Sequence, residues 1–140
     1  MIMKMRFGYM VFMLLLMICP SGIYAQNFIG LPKSDIAGLL KTLNPQFRLE
    51  KNAVNHAYRY MKYVDRISDQ TILFFLSDQD MCTYVRWMAD YSNLSDITEM
   101  LNRKYNKNGQ NTWSYTDKGV NYAVTLLEEE WYFTVSFRKN

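Results

Sequence analysis

The residues that could carry out acid–base or covalent chemistry are few in this sequence. His56 is the only histidine, and no acid or nucleophile stands at a recognisable spacing from it. A catalytic histidine needs a nucleophile and an orienting acid, and a metal site needs several ligands. We therefore predict no catalytic, cofactor or metal residues, and we expect His56 to lie at the surface or to cap a turn.

Cysteine chemistry is also limited in this sequence. Cys82 is the only cysteine after residue 25, so this part of the chain has no internal disulfide. We expect Cys82 to behave as a small buried hydrophobe. The alternatives are an intermolecular disulfide or a reactive thiol, and a reactive thiol would want a nearby base.

Two acidic clusters could suggest a cation site. They are Asp78-Gln79-Asp80 and Glu128-Glu129-Glu130. A calcium loop of the EF-hand type needs a glycine and a closing glutamate at fixed positions, and neither is present. Both clusters are more typical of solvated hairpin turns, and the glutamates would also protect a hairpin tip from aggregation.

Aromatic residues, at 16% of the chain, are the best candidates for binding. The run Tyr58–Tyr63 alternates aromatic and cationic side chains, as a platform for single-stranded nucleic acid would. A half-buried strand with cations on one face explains the same pattern. Stronger candidates stand on separate predicted strands and could instead pack in the core. These tentative binding residues are Trp87, Trp113, Trp131, Tyr60 and Tyr122.

Residues 1–25 have the pattern of a secretory signal peptide. Lys4 and Arg6 precede an apolar run from Phe7 to Ile18, and Ala25 stands at the expected cut. The run holds twelve residues, whereas a membrane-spanning helix needs about 20. Cys19 lacks the small preceding residue of a lipidation signal. We therefore expect a periplasmic or secreted protein of a Gram-negative bacterium, with no membrane span after cleavage.

Cleavage also changes the charge of the protein. The full chain carries +3, and the loss of two cations with the signal leaves +1. Neutralising several phosphates requires a larger excess of Lys and Arg. We therefore expect no nucleic-acid partner.

The sequence pattern after residue 25 predicts two helices and six strands. Apolar stripes at helical spacing mark Pro32–Leu43 and Leu94–Asn106, with Asn93 as the expected cap of the second helix. The segment Gln46–His56 stays unassigned. Strands are expected in segments rich in aromatic and β-branched residues and bounded by turn residues. These segments are Ala57–Asp65, Thr71–Ser77, Met81–Asp90, Asn111–Thr116, Val120–Leu127 and Trp131–Lys139.

The order of one helix and three strands occurs twice. Ser34-Asp35-Ile36 in the first helix recurs as Ser95-Asp96-Ile97 in the second. We predict one α+β domain over residues 26–140, built from two αβββ units at about 28–90 and 91–140. The units would share an antiparallel sheet of about six strands, with both helices packed on one face. Two short helices cannot cover six strands on both sides, so an aromatic sheet face should stay open.

The start of the first helix resembles a known family. The segment from Gly30 to Ile36, followed by Leu39-Leu40, resembles the opening of small periplasmic domains of the BamE type. Tandem αβββ units also look like the β-lactamase inhibitory protein fold. Two residues depart from the pattern: Pro32 replaces a hydroxyl cap, and Lys41 replaces a glycine. The resemblance implies a protein-binding scaffold without catalytic residues.

Three functions follow as hypotheses. The first is a non-catalytic binding module whose aromatic sheet face holds a protein partner, from the envelope or secreted, or a second copy. The second is a carbohydrate-binding module, which exposed Trp and Tyr flanked by acids or amides would favour. The third is an enzyme with an unrecognised site, which a pocket with a converging histidine and acid would favour.

Overall fold

The computed structural model describes residues 27–50 and 58–140. The predicted export signal, Cys19 and His56 lie outside the described residues, so what the sequence predicts of them stays a prediction. The helices are α1 (Lys33–Leu43) and α2 (Leu94–Lys104), the latter preceded by a 3₁₀ turn at Tyr91–Asn93. The strands are β1 (Arg48–Leu49), β2 (Tyr60–Asp65), β3 (Gln70–Leu76), β4 (Cys82–Ala89), β5 (Asn106–Lys107), β6 (Thr112–Asp117), β7 (Val120–Glu128) and β8 (Phe133–Lys139).

All strands of the described residues belong to one antiparallel sheet of eight strands, in the order β1-β2-β3-β4-β8-β7-β6-β5. The prediction of an α+β domain with two αβββ units and about six strands is therefore wrong. The described residues are dominated by the sheet, with 47% of them in strands and 23% in helices. Each unit contains one helix and four strands, because a short strand follows each helix.

The two additional strands are too short to be recognised from sequence. Both β1 and β5 have two residues and lie at the two edges of the sheet. Alternation with a period of two needs at least four residues to be visible. β5 occupies the place where helix α2 was expected to end, because Tyr105 adopts an extended backbone. Very short edge strands also discourage pairing with another chain.

The two units meet at the centre of the sheet. β4 closes the first unit and β8 closes the second, and the two pair antiparallel from Tyr84↔Arg138 to Ala89↔Phe133. The strand order on one side of this pair therefore mirrors the order on the other. Equivalent strands of the two units can be compared position by position.

Neither helix begins with a side-chain cap. Pro32 precedes α1 in an extended conformation, rather than forming its first residue. Asn93 does not cap α2, contrary to the prediction, because its side-chain oxygen accepts from Gln70 Nε2 at 3.3 Å while its amide nitrogen donates to the carbonyl of Ser68 at 3.1 Å. The cap belongs instead to the preceding 3₁₀ turn, where the Asp90 carboxylate accepts from the Ser92 N–H at 2.8 Å.

The core lies between the helices and one face of the sheet. Ile36 and Leu40 of α1 and Ile97 and Leu101 of α2 are buried in the same cluster as alternate residues of the strands. One cross-strand row of this buried face contains Tyr63, Ile72, Trp87, Val135 and Leu126. Side chains of a strand alternate between faces, so the intervening residues form the face that the helices leave open. No helix within the described ranges is long and apolar enough to cross a membrane.

Candidate binding surface on the open sheet face

Three of the five aromatic residues singled out from the sequence belong to the core. Trp87 is 4% exposed, Trp113 is 1% exposed and Tyr122 is 7% exposed. Each indole N–H is satisfied inside the protein: Trp87 donates to Gln70 Oε1 and Trp113 to Asn102 Oδ1, both at 3.0 Å. These three side chains face the helices and form no part of an accessible surface.

Trp131 is the exposed tryptophan, with 76% of its surface accessible. It lies in the turn between β7 and β8 rather than in a strand, because β7 continues to Glu128 and β8 begins at Phe133. The Glu129 N–H donates to the Tyr132 carbonyl at 2.8 Å, which closes the turn. Tyr132 and Leu127 are exposed beside it.

Tyr60 lies on the open face and is part of an aromatic row. The register aligns Tyr60 with Phe75 and Phe75 with Tyr84. The ring centroids of Tyr60 and Phe75 are 5.9 Å apart, and those of Phe75 and Tyr84 are 5.3 Å apart, both pairs tilted. Such pairs stabilise each other beyond the area that they bury. All three side chains are half-buried.

The next cross-strand row adds cations and an aliphatic residue. It aligns Lys62, Leu73 and Arg86. We define the aromatic face as the two rows together, namely Tyr60, Phe75, Tyr84, Lys62, Leu73 and Arg86. Sequence reasoning identified Tyr60 but missed Phe75 and Tyr84, because only the strand register shows that these three residues stand side by side.

Arg86 is held against the aromatic row. Its guanidinium carbon lies 5.7 Å from the centroid of the Tyr84 ring, a cation–π geometry. The Tyr84 hydroxyl lies 3.4 Å from the Arg86 guanidinium and 2.8 Å from the Ser136 hydroxyl. The cation is therefore positioned while its outer side stays exposed.

The charge of the aromatic face is positive and only partly neutralised. Lys62 pairs with the Glu50 carboxylate at 2.6 Å, and this hydrogen bond lowers the pKa of Glu50. Within the described part of the chain, no carboxylate lies within ion-pair distance of Arg86 or of Arg138, which neighbours Tyr84 in register. Among the described residues, the aromatic face therefore offers one unpaired cation, Arg86, beside aromatic rings, and Arg138 adjoins it.

The same face of the second unit is different. Its row beside Tyr84 continues through Arg138, Ala123 and Ser114, and the row beside Arg86 continues through Ser136, Thr125 and Thr112. Apart from Arg138, which adjoins the first unit, these are small side chains without charge. Aromatic residues occupy both faces of the sheet in the first unit, whereas those on the strands of the second unit face the helices.

The cavities and the cysteine of the described residues are the other places where small-molecule chemistry could occur. A cavity of about 30 Å³ with mainly apolar walls lies beneath Asn27–Ile29, and two wider surface grooves of about 630 and 460 Å³ lie along α2 and beside β1. Burial raises the pKa of the Cys82 thiol to about 11, so the nucleophilic thiolate is rare at neutral pH. No group of three or more potential metal ligands occurs within the described ranges.

The acidic cluster in the first unit has a structural role. Asp80 pairs with Arg59 at 2.6 Å and adopts a positive φ of 58°. The Asp80 N–H donates to the Ser77 carbonyl at 3.0 Å. These contacts fit the predicted hairpin turn between β3 and β4.

Comparisons of this chain with protein-family models, with curated proteins and with solved structures find no match.

Proposed function

We propose that this protein is a non-catalytic binding module whose aromatic face holds a protein partner. The observation that carries the proposal is the row of Tyr60, Phe75 and Tyr84 on the sheet face that the helices leave open. Aromatic side chains and arginine dominate the energy of protein interfaces once they are desolvated. A contiguous apolar patch with a polar rim is typical of an interaction surface.

The chemistry of the rim favours a protein over a neutral carbohydrate. Sugar-binding aromatic surfaces would be expected to carry acids or amides that bond the hydroxyl groups. The strands that carry the aromatic row instead contribute Lys62 and Arg86. The guanidinium of Arg86, which pairs with no described carboxylate and lies beside aromatic rings, suits a partner surface with carboxylates and apolar side chains. The resemblance of Gly30–Ile36 and Leu39-Leu40 to the opening of BamE-type domains implies the same class of function.

The proposed compartment is the periplasm or the exterior of a Gram-negative cell, and the proposed partner is an envelope or secreted protein. The support is the signal pattern of residues 1–25. Mass spectrometry of the protein exported from a Gram-negative host should give a chain that starts at Gln26. A mass that retains the run Phe7–Ile18, or a lipid on Cys19, would contradict this.

Site-specific crosslinking tests the binding surface. A photo-crosslinking amino acid is placed at Arg86 in one variant and at Thr116 in another, since both positions are exposed on the open face and Thr116 lies on the distant strand β6. After illumination in an envelope extract of the source organism, we expect a discrete protein adduct from position 86 and none from position 116. Equal labelling from both positions would contradict the proposal. If the protein instead bound a neutral oligosaccharide and gave no protein adduct, carbohydrate binding would replace the proposed function.

A further inference from the structure

The turn between β7 and β8 is chemically complementary to the aromatic face. We define the acidic tip as Glu128, Glu129, Glu130, Trp131 and Tyr132, all of which are exposed. No cation of the described residues lies within ion-pair distance of these glutamates. The acidic tip thus presents a large indole surrounded by carboxylates, while the aromatic face presents rings beside Arg86, with Arg138 adjoining Tyr84 and both cations unpaired among the described residues.

The acidic tip is held in a defined conformation. The Tyr91 hydroxyl donates to the Glu129 carbonyl, and the Glu129 N–H donates to the Tyr132 carbonyl at 2.8 Å. Tyr91 itself packs against Phe133 of the core, with ring centroids 6.0 Å apart. A tip that is already ordered loses less conformational entropy when it binds.

The two surfaces of one molecule cannot meet each other. The acidic tip adjoins Phe133 at one end of β8, whereas the aromatic row aligns with Arg138 near the other end. Five residues of strand separate these positions by about 17 Å. A contact between the acidic tip and the aromatic face therefore requires two molecules.

We propose that this protein associates with itself through the acidic tip of one copy and the aromatic face of another. The proposal rests on the proposed function, because it names the partner of the same face. Trp131 would pack against the aromatic row, with the glutamates beside Arg86 and Arg138. The two surfaces are different, so the contact is heterologous: it closes into a ring or extends as a chain of molecules.

Sedimentation analysis over a range of concentrations tests the contact. The purified protein should self-associate at low ionic strength and dissociate as salt screens the charges. Trp131→Ala should weaken association about 30-fold or more, and Arg86→Glu should weaken it at least about 10-fold. The matched controls are Ile67→Ala, an exposed apolar residue of a neighbouring turn, and Lys41→Glu on the exposed side of α1; both should associate as the wild type does.

Mixing the two defective variants separates this contact from any other mode of association. Trp131→Ala keeps an intact face and Arg86→Glu keeps an intact tip, so a mixture should form a one-to-one complex although each variant alone is monomeric. A face-to-face dimer would instead be insensitive to Trp131→Ala, and that result would overturn the inference.

A wild-type protein that stays monomeric at millimolar concentration would also overturn the inference. In that case an adduct with a different protein from position 86 would leave the proposed function intact. If the wild-type protein does not self-associate and no adduct forms from position 86, both proposals are rejected.

Discussion

The two units share one architecture and one kind of core, but their open faces are different. On the face that packs against the helices, equivalent rows carry Met61, Phe74 and Val85 in the first unit and Trp113, Val124 and Phe137 in the second. On the open face, the first unit carries the aromatic residues Tyr60, Phe75 and Tyr84, and the second carries Arg138, Ala123 and Ser114, none of them aromatic. Folding thus requires large apolar residues on one face of both units.

This difference separates the residues that folding requires from the residues that binding would require. Nothing in the packing of the core requires aromatic side chains on the open face, since the second unit folds with serine, threonine and alanine there. The packing of the core therefore does not require the aromatic face, although its ring pairs add to the stability of the sheet. The predictions below test this distinction, from the largest expected effect to the smallest.

The cores of the two units should be equally sensitive to truncation. Trp87→Ala and Trp113→Ala should each reduce the free energy of unfolding by about 3–5 kcal/mol, because each leaves a cavity and an unpaired amide acceptor. Chemical denaturation followed by circular dichroism measures both. A small loss in one unit only would mean that the units do not share one core.

The open faces should be unequally important for binding. Tyr84→Ala removes the ring that contacts both Phe75 and Arg86, so affinity for a crosslinked partner or a second copy should fall by about 2 kcal/mol, or roughly 30-fold. Thr112→Ala on the second unit should leave affinity unchanged in the same titration. Equal losses of affinity for Tyr84→Ala and Thr112→Ala would show that the two open faces do not differ in function.

Alkaline pH should destabilise the protein through buried hydroxyl and thiol groups. Burial raises the pKa of Tyr105 and of Tyr115 in the second unit, and that of Cys82 in the first to about 11. These groups stay protonated in the folded state while the unfolded chain ionises. Their contribution is therefore complete below the unfolded pKa, about 10 for tyrosine, and is lost as the pH rises through the folded pKa.

The Tyr105→Phe variant isolates part of this alkaline effect. It removes one buried phenol, so the pH of half-unfolding, followed by circular dichroism, should increase. Tyr132→Phe, which changes an exposed phenol, serves as the control. An unchanged midpoint for Tyr105→Phe would show that this phenol does not contribute to alkaline unfolding.

The smallest effect on stability is expected at the acidic tip. Trp131 is exposed, so Trp131→Ala should change the free energy of unfolding by no more than about 0.5 kcal/mol. Acrylamide should quench the fluorescence of Trp131 more than that of the other two tryptophans. The difference in quenching between the wild type and Trp131→Ala measures this. A loss of several kcal/mol would mean that Trp131 packs in the core like the other two tryptophans.

The sequence was sufficient to predict both helices and the six longer strands to within a few residues. Apolar periodicity identified them because each is long enough to repeat its pattern. It failed for β1 and β5, which have two residues each, and for the cap of α2, where tertiary contacts draw Asn93 toward Ser68.

The candidate surface was harder to predict than the fold. The sequence offered no way to distinguish Trp87 and Trp113 from Trp131, because all three stand in aromatic-rich segments. Only their burial in the structure distinguishes them. Tyr60 was recognised, but its partners Phe75 and Tyr84 become its neighbours only through strand register. Alternation predicted that some strands carry aromatics on both faces, yet it did not indicate that such strands are confined to the first unit.

The central claim is that the open face of the first unit is the binding surface, and paired charge reversals test it most directly. Arg86→Glu and Thr116→Glu each place a carboxylate at an exposed position of the open face, one in each unit and three strands apart. The dissociation constant for the partner adducted at position 86, or for a second copy, should rise at least about 10-fold for Arg86→Glu and stay unchanged for Thr116→Glu. Equal dissociation constants for the two variants would contradict the account.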